Sequence, residues 1–350
     1  MIEQPGGPSF PAPDGDGALS PPGSAGWPAP DAGAWPRRYR VRHRTGYTYG
    51  MTVSDAYSVA CLLPRTRPTQ RVVERRLDVV PEPNEYDERR DVFGNHVTQV
   101  GIHRPHDSFM IESTSVVEID QPVRPTSDFT WEEVSLLAAR LSGAAAVAVG
   151  PYRALTTSTS PVTRVDLLDE LAHSVFTPGR NIIDAVDELN GTIFAEWAFD
   201  PTATDWATPI DAVLADRRGV CQDFAHLAIA AFRRIGLAAS YVSGYIETDP
   251  PPGEEKSIGA DASHAWCSVW IPDASTRPGT EPEVEIDGDH AERQHRWFDL
   301  DPTNNQFPPN RHVSVAWGRD YTDVAPLRGV VIGPSSQQQL DVAVDVERIS

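Results

Sequence analysis

The sequence predicts an α+β protein in which a small β-domain precedes a larger domain of helices followed by strands. Two features support this fold class: strand-like alternation begins at Tyr39, and helical periodicity replaces it after about residue 123. The 350 residues suffice for about two domains. We therefore divide the chain into a tail (1–36), a β-sandwich domain (37–122) and an α+β domain with a C-terminal strand region (123–350).

The tail and the β-domain differ sharply in pattern. Residues 1–36 are rich in Pro, Gly, Ala and Ser without any period, which is typical of a disordered segment. From Tyr39 to Thr45, apolar or aromatic residues and His43 alternate with arginines, as they do in a half-buried strand. Turn signals separate further runs of this kind, which indicates an antiparallel sandwich built from strands near 55–63, 70–80, 96–103 and 109–119.

The second domain opens with helices. Thr130 and Glu133 form a capping-box pattern at the start of a predicted helix over 131–149. Thr208 is the expected N-cap of a short helix, with Pro209 at its first position. An almost wholly apolar helix over 221–235 is expected to be buried and to end at Gly236. The remaining helices are predicted at 164–175 and 181–194.

Strands follow these helices. The pattern predicts strands at 240–246, 265–271 and 297–300 and a final strand over 340–346. The Pro-, Gly- and acid-rich segment at 273–296 is expected to be an exposed loop.

Composition excludes several classes of function. A net charge of −20 disfavours a nucleic-acid partner, because such binding depends on Lys and Arg that neutralise phosphates. No run approaches the ~18 apolar residues of a membrane span, and residues 1–5 do not resemble a signal peptide, so we expect a cytoplasmic protein without a membrane partner. The three cysteines are widely spaced without a C-x-x-C pair, which disfavours both a disulfide framework and a structural zinc site.

A cysteine, a histidine and an aspartate in three segments carry the most specific chemical signal. Cys221 begins the apolar helix, where first-turn N–H groups favour a thiolate and can bind an oxyanion. His264 opens a strand and can act as its base, and Asp301 ends the next strand, where it can orient the histidine. Asp299 lies two residues earlier on the same strand face and is the competing candidate for the orienting role.

The motifs around these residues resemble those of bacterial transglutaminase-like proteins. The similar stretches are Gly-Val-Cys-Gln-Asp-Phe-Ala-His at 219–226, Tyr-Val-Ser-Gly-Tyr at 241–245, Ser-His-Ala-Trp at 263–266 and Asp-Pro-Thr-Asn at 301–304. The resemblance extends to Phe-Gly-Asn at 93–95 and to the stretch from His312 to Gly329, so that it covers nearly all of the chain after residue 36.

This resemblance implies a papain-like transglutaminase core behind the β-sandwich. It implies Cys221 as nucleophile, His264 as base and Asp301 as orienting residue, with amide or peptide carbonyls attacked to form a thioester and with no cofactor. Hydrolysis and transamidation use the same triad, so the resemblance does not choose between these two reactions. A protein or peptide substrate is expected for either. The sequence departs from the family pattern in two places. One is the long acidic segment at 273–296, and the other is position 268, which is Ser where the family pattern leads us to expect Glu.

Other interpretations accompany this one. A protein- or peptide-binding module that retained the fold without activity is the alternative, although the intact triad argues against it. Cys61 and Cys267 are expected in the core. His226 is expected to make structural hydrogen bonds, with a role in supporting the site around Cys221 as the alternative. A metal site formed by Cys221, Asp223 and His226 is disfavoured, because their helical angles spread too widely.

Overall fold

Strands with alternating buried and exposed side chains form the first part of the protein. The computed structural model describes residues 35–154, 165–204, 208–248, 263–272, 297–334 and 337–350. As predicted, Tyr39 and Val41 on the first strand are buried, while Arg40 and Arg42 are exposed. Six strands precede the helices: β1 (Arg37–Val53), β2 (Asp55–Ala60), β3 (Gln70–Val80), β4 (Glu85–Arg90), β5 (His96–Ile102) and β6 (His106–Ile119).

A set of helices and short strands follows. The predicted helix over 131–149 is two helices, because the chain leaves the helical conformation at Leu141 and Ser142 and Gly143 adopts a left-handed φ of 55°. The elements are α1 (Trp131–Arg140), α2 (Gly143–Val149), the 3₁₀ turn Gly150–Arg153, α3 (Val165–Val175), α4 (Ile182–Glu196), β7 (Ala198–Phe199), α5 (Ile210–Asp216), β8 (Arg218–Gly219) and α6 (Cys221–Arg234).

Local sequence signals set several helix ends. Thr130 and Glu133 form the predicted capping box of α1. Gly236 follows α6 with a φ of 85°, a left-handed conformation that glycine adopts without strain. The prediction of Thr208 as the N-cap of α5 was wrong by one residue, since Pro209 is the N-cap with an extended backbone and the helix begins at Ile210. None of the helices in the described ranges is long and apolar enough to cross a membrane.

A four-stranded antiparallel sheet completes the second unit. Its strands lie in the order β11-β10-β9-β12, and α6 packs against β9 and β10, so that both the helix and the central strands are buried. The elements are β9 (Ala239–Ile246), β10 (Ser263–Trp270), β11 (Trp297–Leu300), β12 (His312–Gly318) and α7 (Tyr321–Val324). We call α1–α7 with β7–β12 the helix–sheet unit.

The last two strands belong to the β-sandwich. β13 (Leu327–Ile332) pairs with β2, and β14 (Gln338–Arg348) pairs with β1 along eleven residues. The sheets β14-β1-β6-β3 and β13-β2-β5-β4 enclose a shared apolar core. The predicted domain of residues 123–350 included the C-terminal strand, whereas in the structure this strand belongs to the sandwich. The alternating pattern predicts a strand but does not predict which strand it pairs with. The predicted tail and the acidic segment at 273–296 lie, apart from residues 35 and 36, outside the described residues.

Side-chain amides of the sandwich cover the outer edge of β12. Gln70 donates to the carbonyl oxygen of Ser314 and accepts from its N–H group, both at 2.8 Å. Asn95 makes the same pair of bonds with Trp317, at 2.8 and 3.0 Å. Each amide thus occupies the place of a neighbouring strand, which explains the Asn at the end of the Phe-Gly-Asn motif. The Arg65 guanidinium also lies 3.3 Å over the Trp317 ring.

Candidate active site

The start of α6 places Cys221 in the first helical position. β8 runs into the helix, and the Asp223 carboxylate accepts hydrogen bonds from the Val220 N–H group at 2.8 Å and from the Thr204 hydroxyl at 2.6 Å. A Cβ atom at Gly219 would lie 2.7 Å from this carboxylate, so only glycine fits. Asp223 therefore builds the turn that presents Cys221, which is half-buried.

The structure brings the three predicted site residues together. His264 is the second residue of β10 and is buried, and Asp301 directly follows β11 with no exposed surface. Nε2 of His264 lies 2.7 Å from Oδ2 of Asp301. Cys221 lies near enough to the same imidazole that their interaction helps to raise the pKa of His264. Because Nε2 faces Asp301, Nδ1 is the nitrogen left for the thiol.

Asp301 is held by donors on both carboxylate oxygens. Oδ1 accepts from the backbone N–H groups of Thr303 at 3.0 Å and Asn304 at 3.3 Å, as in an Asx turn. Oδ2 accepts from Asn304 Nδ2 at 2.8 Å and faces Nε2 of His312 at 2.9 Å, besides His264. Asn304 thus lies in the turn after Asp301, and its side chain additionally binds the carboxylate.

Burial and charge act in opposite directions on this group of residues. Burial alone would lower the pKa of His264, but the negative charge of Asp301, their hydrogen bond and the contact with Cys221 outweigh it and raise the pKa above its ordinary value. Burial likewise would raise the pKa of Asp301, but the charge of His264 and the hydrogen bonds from His264 and His312 hold it well below its usual range. Asp301 is therefore an ionised acceptor at neutral pH.

The competing aspartate has a different partner. Asp299 is buried and accepts from the Arg67 guanidinium at 2.6 Å and from the Trp266 indole at 3.2 Å. Arg67 comes from the β-sandwich and also donates to the Ser314 hydroxyl at 2.7 Å. Asp299 is thus a bridge between the two units, and the histidine contact belongs to Asp301.

A second histidine at the site was not predicted. His312, the first residue of β12, is fully buried, and its ring contacts Trp266 edge to face with a centroid distance of 5.1 Å. Burial lowers its pKa, and the bond and charge of Asp301 only partly offset this. No sequence spacing links His312 to Asp301, because the contact depends on β12 pairing with β9. The only indication of His312 in the sequence was its position at the start of the stretch from His312 to Gly329 that resembles the family.

The other polar candidates have structural partners. His226 is buried, and its Nε2 accepts from the Tyr321 N–H group at 3.3 Å, which fixes α7 against α6 as the structural interpretation expected. Asp223, one of the three residues of the disfavoured metal site, accepts hydrogen bonds from Val220 and Thr204.

Both remaining cysteines are core residues. Cys61 and Cys267 are buried, as predicted, and burial raises the pKa of each thiol. Ser268 is also buried on β10, opposite Asp299 in the strand register, and nothing in its surroundings explains the departure from Glu.

Three potential metal-ligand atoms also lie close together here. Those of His264, Asp301 and His312 fall within 4.8 Å of one another. Their short distances are accounted for as hydrogen bonds to one carboxylate oxygen, which also accepts from the Asn304 amide. An ion on these atoms would replace the Nε2 proton of His264, so we describe the cluster as a hydrogen-bond network.

Comparison with known proteins agrees with this architecture. Residues 39–118 match the bacterial transglutaminase-like N-terminal region, and residues 169–302 match the transglutaminase-like superfamily. Uncharacterized proteins of Mycobacterium bovis and of Mycobacterium tuberculosis strain H37Rv are each 38% identical over 316 residues, covering 88% of this chain and 92% of theirs. An uncharacterized protein of Mycobacterium leprae is 30% identical over 317 residues, covering 89% and 99%.

A solved structure shares the fold. The crystal structure of a candidate cysteine protease from Cytophaga hutchinsonii has a TM-score of 0.63 at 19% identity, covering 91% of this chain and 92% of that one. The predicted α+β class with a papain-like transglutaminase core behind a β-sandwich is confirmed, and the family supports a cysteine-dependent activity in general terms. The chain belongs to the transglutaminase-like superfamily and carries the N-terminal region of its bacterial members.

Proposed function

We propose that this protein is an enzyme that transfers or hydrolyses acyl groups at amide or peptide carbonyls through a thioester on Cys221. The observation that carries the proposal is the buried Asp301 carboxylate 2.7 Å from His264, together with the interaction of Cys221 with the same imidazole. In this assignment Cys221 is the nucleophile, His264 the base and Asp301 the residue that orients and charges the imidazole.

The reaction proceeds through the two nitrogens of His264. Nδ1 takes the thiol proton while Nε2 remains bonded to Asp301. The thiolate attacks the carbonyl carbon, and the oxyanion accepts from the N–H group of Cys221 at the start of α6. The carbon–nitrogen bond then breaks, and the amine or ammonia leaves with the proton from Nδ1. Nδ1 then takes a proton from water or a second amine as it attacks the thioester. The carbon–sulfur bond breaks, an acid or a new amide leaves, and the proton returns to the Cys221 thiolate.

The triad serves hydrolysis and transamidation equally. Water as acceptor makes the protein a protease or amidase, and an amine makes it a transamidase. The choice depends on how well loops shield the thioester from water. We propose a protein or peptide as substrate without a cofactor; the cytoplasmic location remains a prediction from the sequence.

Ammonia release from casein, with and without an added labelled primary amine, tests the activity. We expect release by the native protein and by a Cys61→Ala control, and none by Cys221→Ala. Amine attached to casein would establish transamidation, and release without attachment would establish deamidation. Casein-derived peptides are followed by mass spectrometry in the same reactions to detect hydrolysis.

Alkylation by iodoacetamide separates an enzyme from a binding module. Because the other two cysteines are buried, a mass-spectrometric map should show selective labelling of Cys221, faster at neutral pH than that of a free thiol. Labelling no faster than that of a free thiol, together with no Cys221-dependent change in casein, would overturn the proposal in favour of the binding module.

A further inference from the structure

His312 is the buried side chain that the reaction scheme does not use. It lies at the start of β12, on a different element from the three residues of the proposed triad, and directs Nε2 at the same carboxylate oxygen as His264. The distances from Oδ2 of Asp301 to the two Nε2 atoms are 2.9 Å for His312 and 2.7 Å for His264. One carboxylate oxygen therefore joins two imidazole rings.

We propose that His312 is a positioning residue: its Nε2–H group holds the Asp301 carboxylate in the orientation that His264 uses. The inference rests on the function proposed above and assigns a further residue to it. Among the described residues, Asp301 has no arginine or lysine in an ion pair, although it is fully buried. Its orientation therefore depends on neutral donors and on the two imidazoles.

The contacts of His312 define its protonation. Oδ2 of an ionised carboxylate is only an acceptor, so Nε2 of His312 must carry a proton. Nδ1 of His312 has no hydrogen-bond partner within the described ranges, which suits the bare nitrogen of a neutral ring. A second imidazolium would also repel the one on His264, whose ring centroid lies 5.8 Å away. His312 thus acts as a neutral donor.

The surroundings leave His312 little freedom to take another role. Its ring contacts the Trp266 indole, which bonds Asp299 in turn. Gly244 on β9 makes room for that indole, because a Cβ atom there would lie 2.5 Å from the Trp266 ring. The ring of His312 is therefore fixed against Trp266 with Nε2 directed at Asp301.

Loss of the N–H donor of His312 should shift the pKa of His264 in one direction. The titratable groups that face this network are Cys221 on α6, Asp299 and Asp301 at the end of β11, and the two histidines on β10 and β12. The positive end of the His312 N–H dipole points at Oδ2, next to the His264 proton. Removing it leaves more negative potential at that proton, so the pKa of His264 should rise.

Two variants separate the donor from the ring. His312→Phe keeps an aromatic ring against Trp266 but has no donor, whereas His312→Gln can keep a donor near Oδ2. The rate of Cys221 alkylation by iodoacetamide is measured from pH 4 to pH 11.5, so that the range extends past the raised pKa of His264, with thermal unfolding of each variant alongside. The alkaline transition in the profile reports loss of the His264 proton.

For His312→Phe we expect alkylation at pH 7 to slow about tenfold, the size of effect seen when partners of metal-bound histidines are removed. Its alkaline transition should move to higher pH by about 0.5 unit or more. His312→Gln should stay within about twofold of the native rate, with an unshifted transition. Equal slowing in both variants without a shift would reduce His312 to a packing residue and overturn the inference.

The outcome is distinguishable from failure of the proposed function. If native Cys221 shows the single titration of a free thiol, the proposed function fails. If the native profile has two transitions but His312→Phe reproduces it, only the role of His312 fails. Histidine-labelled protein studied by nitrogen NMR gives a second readout, because the inference requires His312 to be neutral with its proton on Nε2 at pH 7.

Discussion

Two aspartates at the end of β11 share a strand face but use their carboxylates differently. Asp299 neutralises Arg67 of the β-sandwich, and Asp301 accepts from His264 and His312. The residue spacing predicts that both side chains lie on one face of the strand, but only the structure shows that Asp299 bonds Arg67 while Asp301 contacts the two histidines. This difference makes each aspartate a control for the other.

Replacement of Asp301 by Asn should slow Cys221 alkylation and turnover by about 10²-fold or more, because His264 loses its anionic partner. Asp299→Asn should instead leave the Arg67 charge buried and lower the free energy of unfolding by about 3 kcal/mol. Alkylation rates and urea unfolding of both variants test this. Loss of reactivity in Asp299→Asn without destabilisation would reverse the assignment.

Two buried neutral histidines should make the fold sensitive to acid. Burial lowers the pKa of His43 and of His226 to about 4, from an ordinary value of 6.5. The unfolded chain then binds more protons than the native protein between these pH values, so stability is present above pH 6.5 and lost as the pH falls to 4. Each histidine should contribute a loss of about 3 kcal/mol.

His226→Gln tests this contribution, because the Gln carbonyl can still accept from the Tyr321 N–H group. The free energy of urea unfolding is measured at pH 7 and at pH 4.5 for the native protein and the variant. We expect a smaller drop between the two pH values in the variant. An unchanged drop would show that His226 is already protonated in the native state or is not buried.

At the scale of elements, the first turn of α6 connects fold and chemistry. Asp223 bonds the Val220 N–H group and the Thr204 hydroxyl, so the same carboxylate caps the helix and anchors the preceding loop. The position of Cys221 depends on this turn, since the sulfur stands on the first helical residue.

Asp223→Ala should therefore lower the free energy of unfolding by about 1 kcal/mol through the lost cap. Cys221 alkylation should slow as well, because the first turn loses its anchor. Asp223→Asn keeps an acceptor oxygen and should stay near the native protein in both measurements. If Asp223→Asn is as slow as Asp223→Ala, the negative charge rather than the cap governs the thiol.

Elements with local signals could be predicted, and long-range pairings could not. The apolar run of α6 and the glycine after it predict that helix to within a residue, and the motif around His264 lies on the strand expected for it. The role of His312 depends on β12 pairing with β9, and the place of β14 depends on β1 offering a second edge. Neither of these two strand pairings can be inferred from a periodic pattern in the sequence.

Across the whole molecule, the β-sandwich supports the sheet that carries the site. Gln70 and Asn95 satisfy backbone groups of β12 that would otherwise form an open edge. His312 begins that strand. The sandwich therefore fixes the position of the strand from which Asp301 receives one of its donors.

Asn95→Leu should remove both bonds to Trp317 and leave its N–H and C=O groups unpaired, lowering the free energy of unfolding by about 3 kcal/mol. Gln99→Leu, on the exposed face of β5, should change it by less than about 0.5 kcal/mol. Hydrogen exchange at the Trp317 amide should accelerate in the first variant only. Equal stability of the two variants would refute the support role.

The pairing of β13 and β14 has a topological consequence. The helix–sheet unit is inserted into the sandwich, between β6 and β13, rather than appended to it. During synthesis, β1 and β2 therefore each keep one unpaired edge until some 200 residues of the insert have left the ribosome. The sandwich can be completed only after the helix–sheet unit has been synthesised, so a helix–sheet unit that folds during synthesis does so beside a sandwich that still lacks β13 and β14.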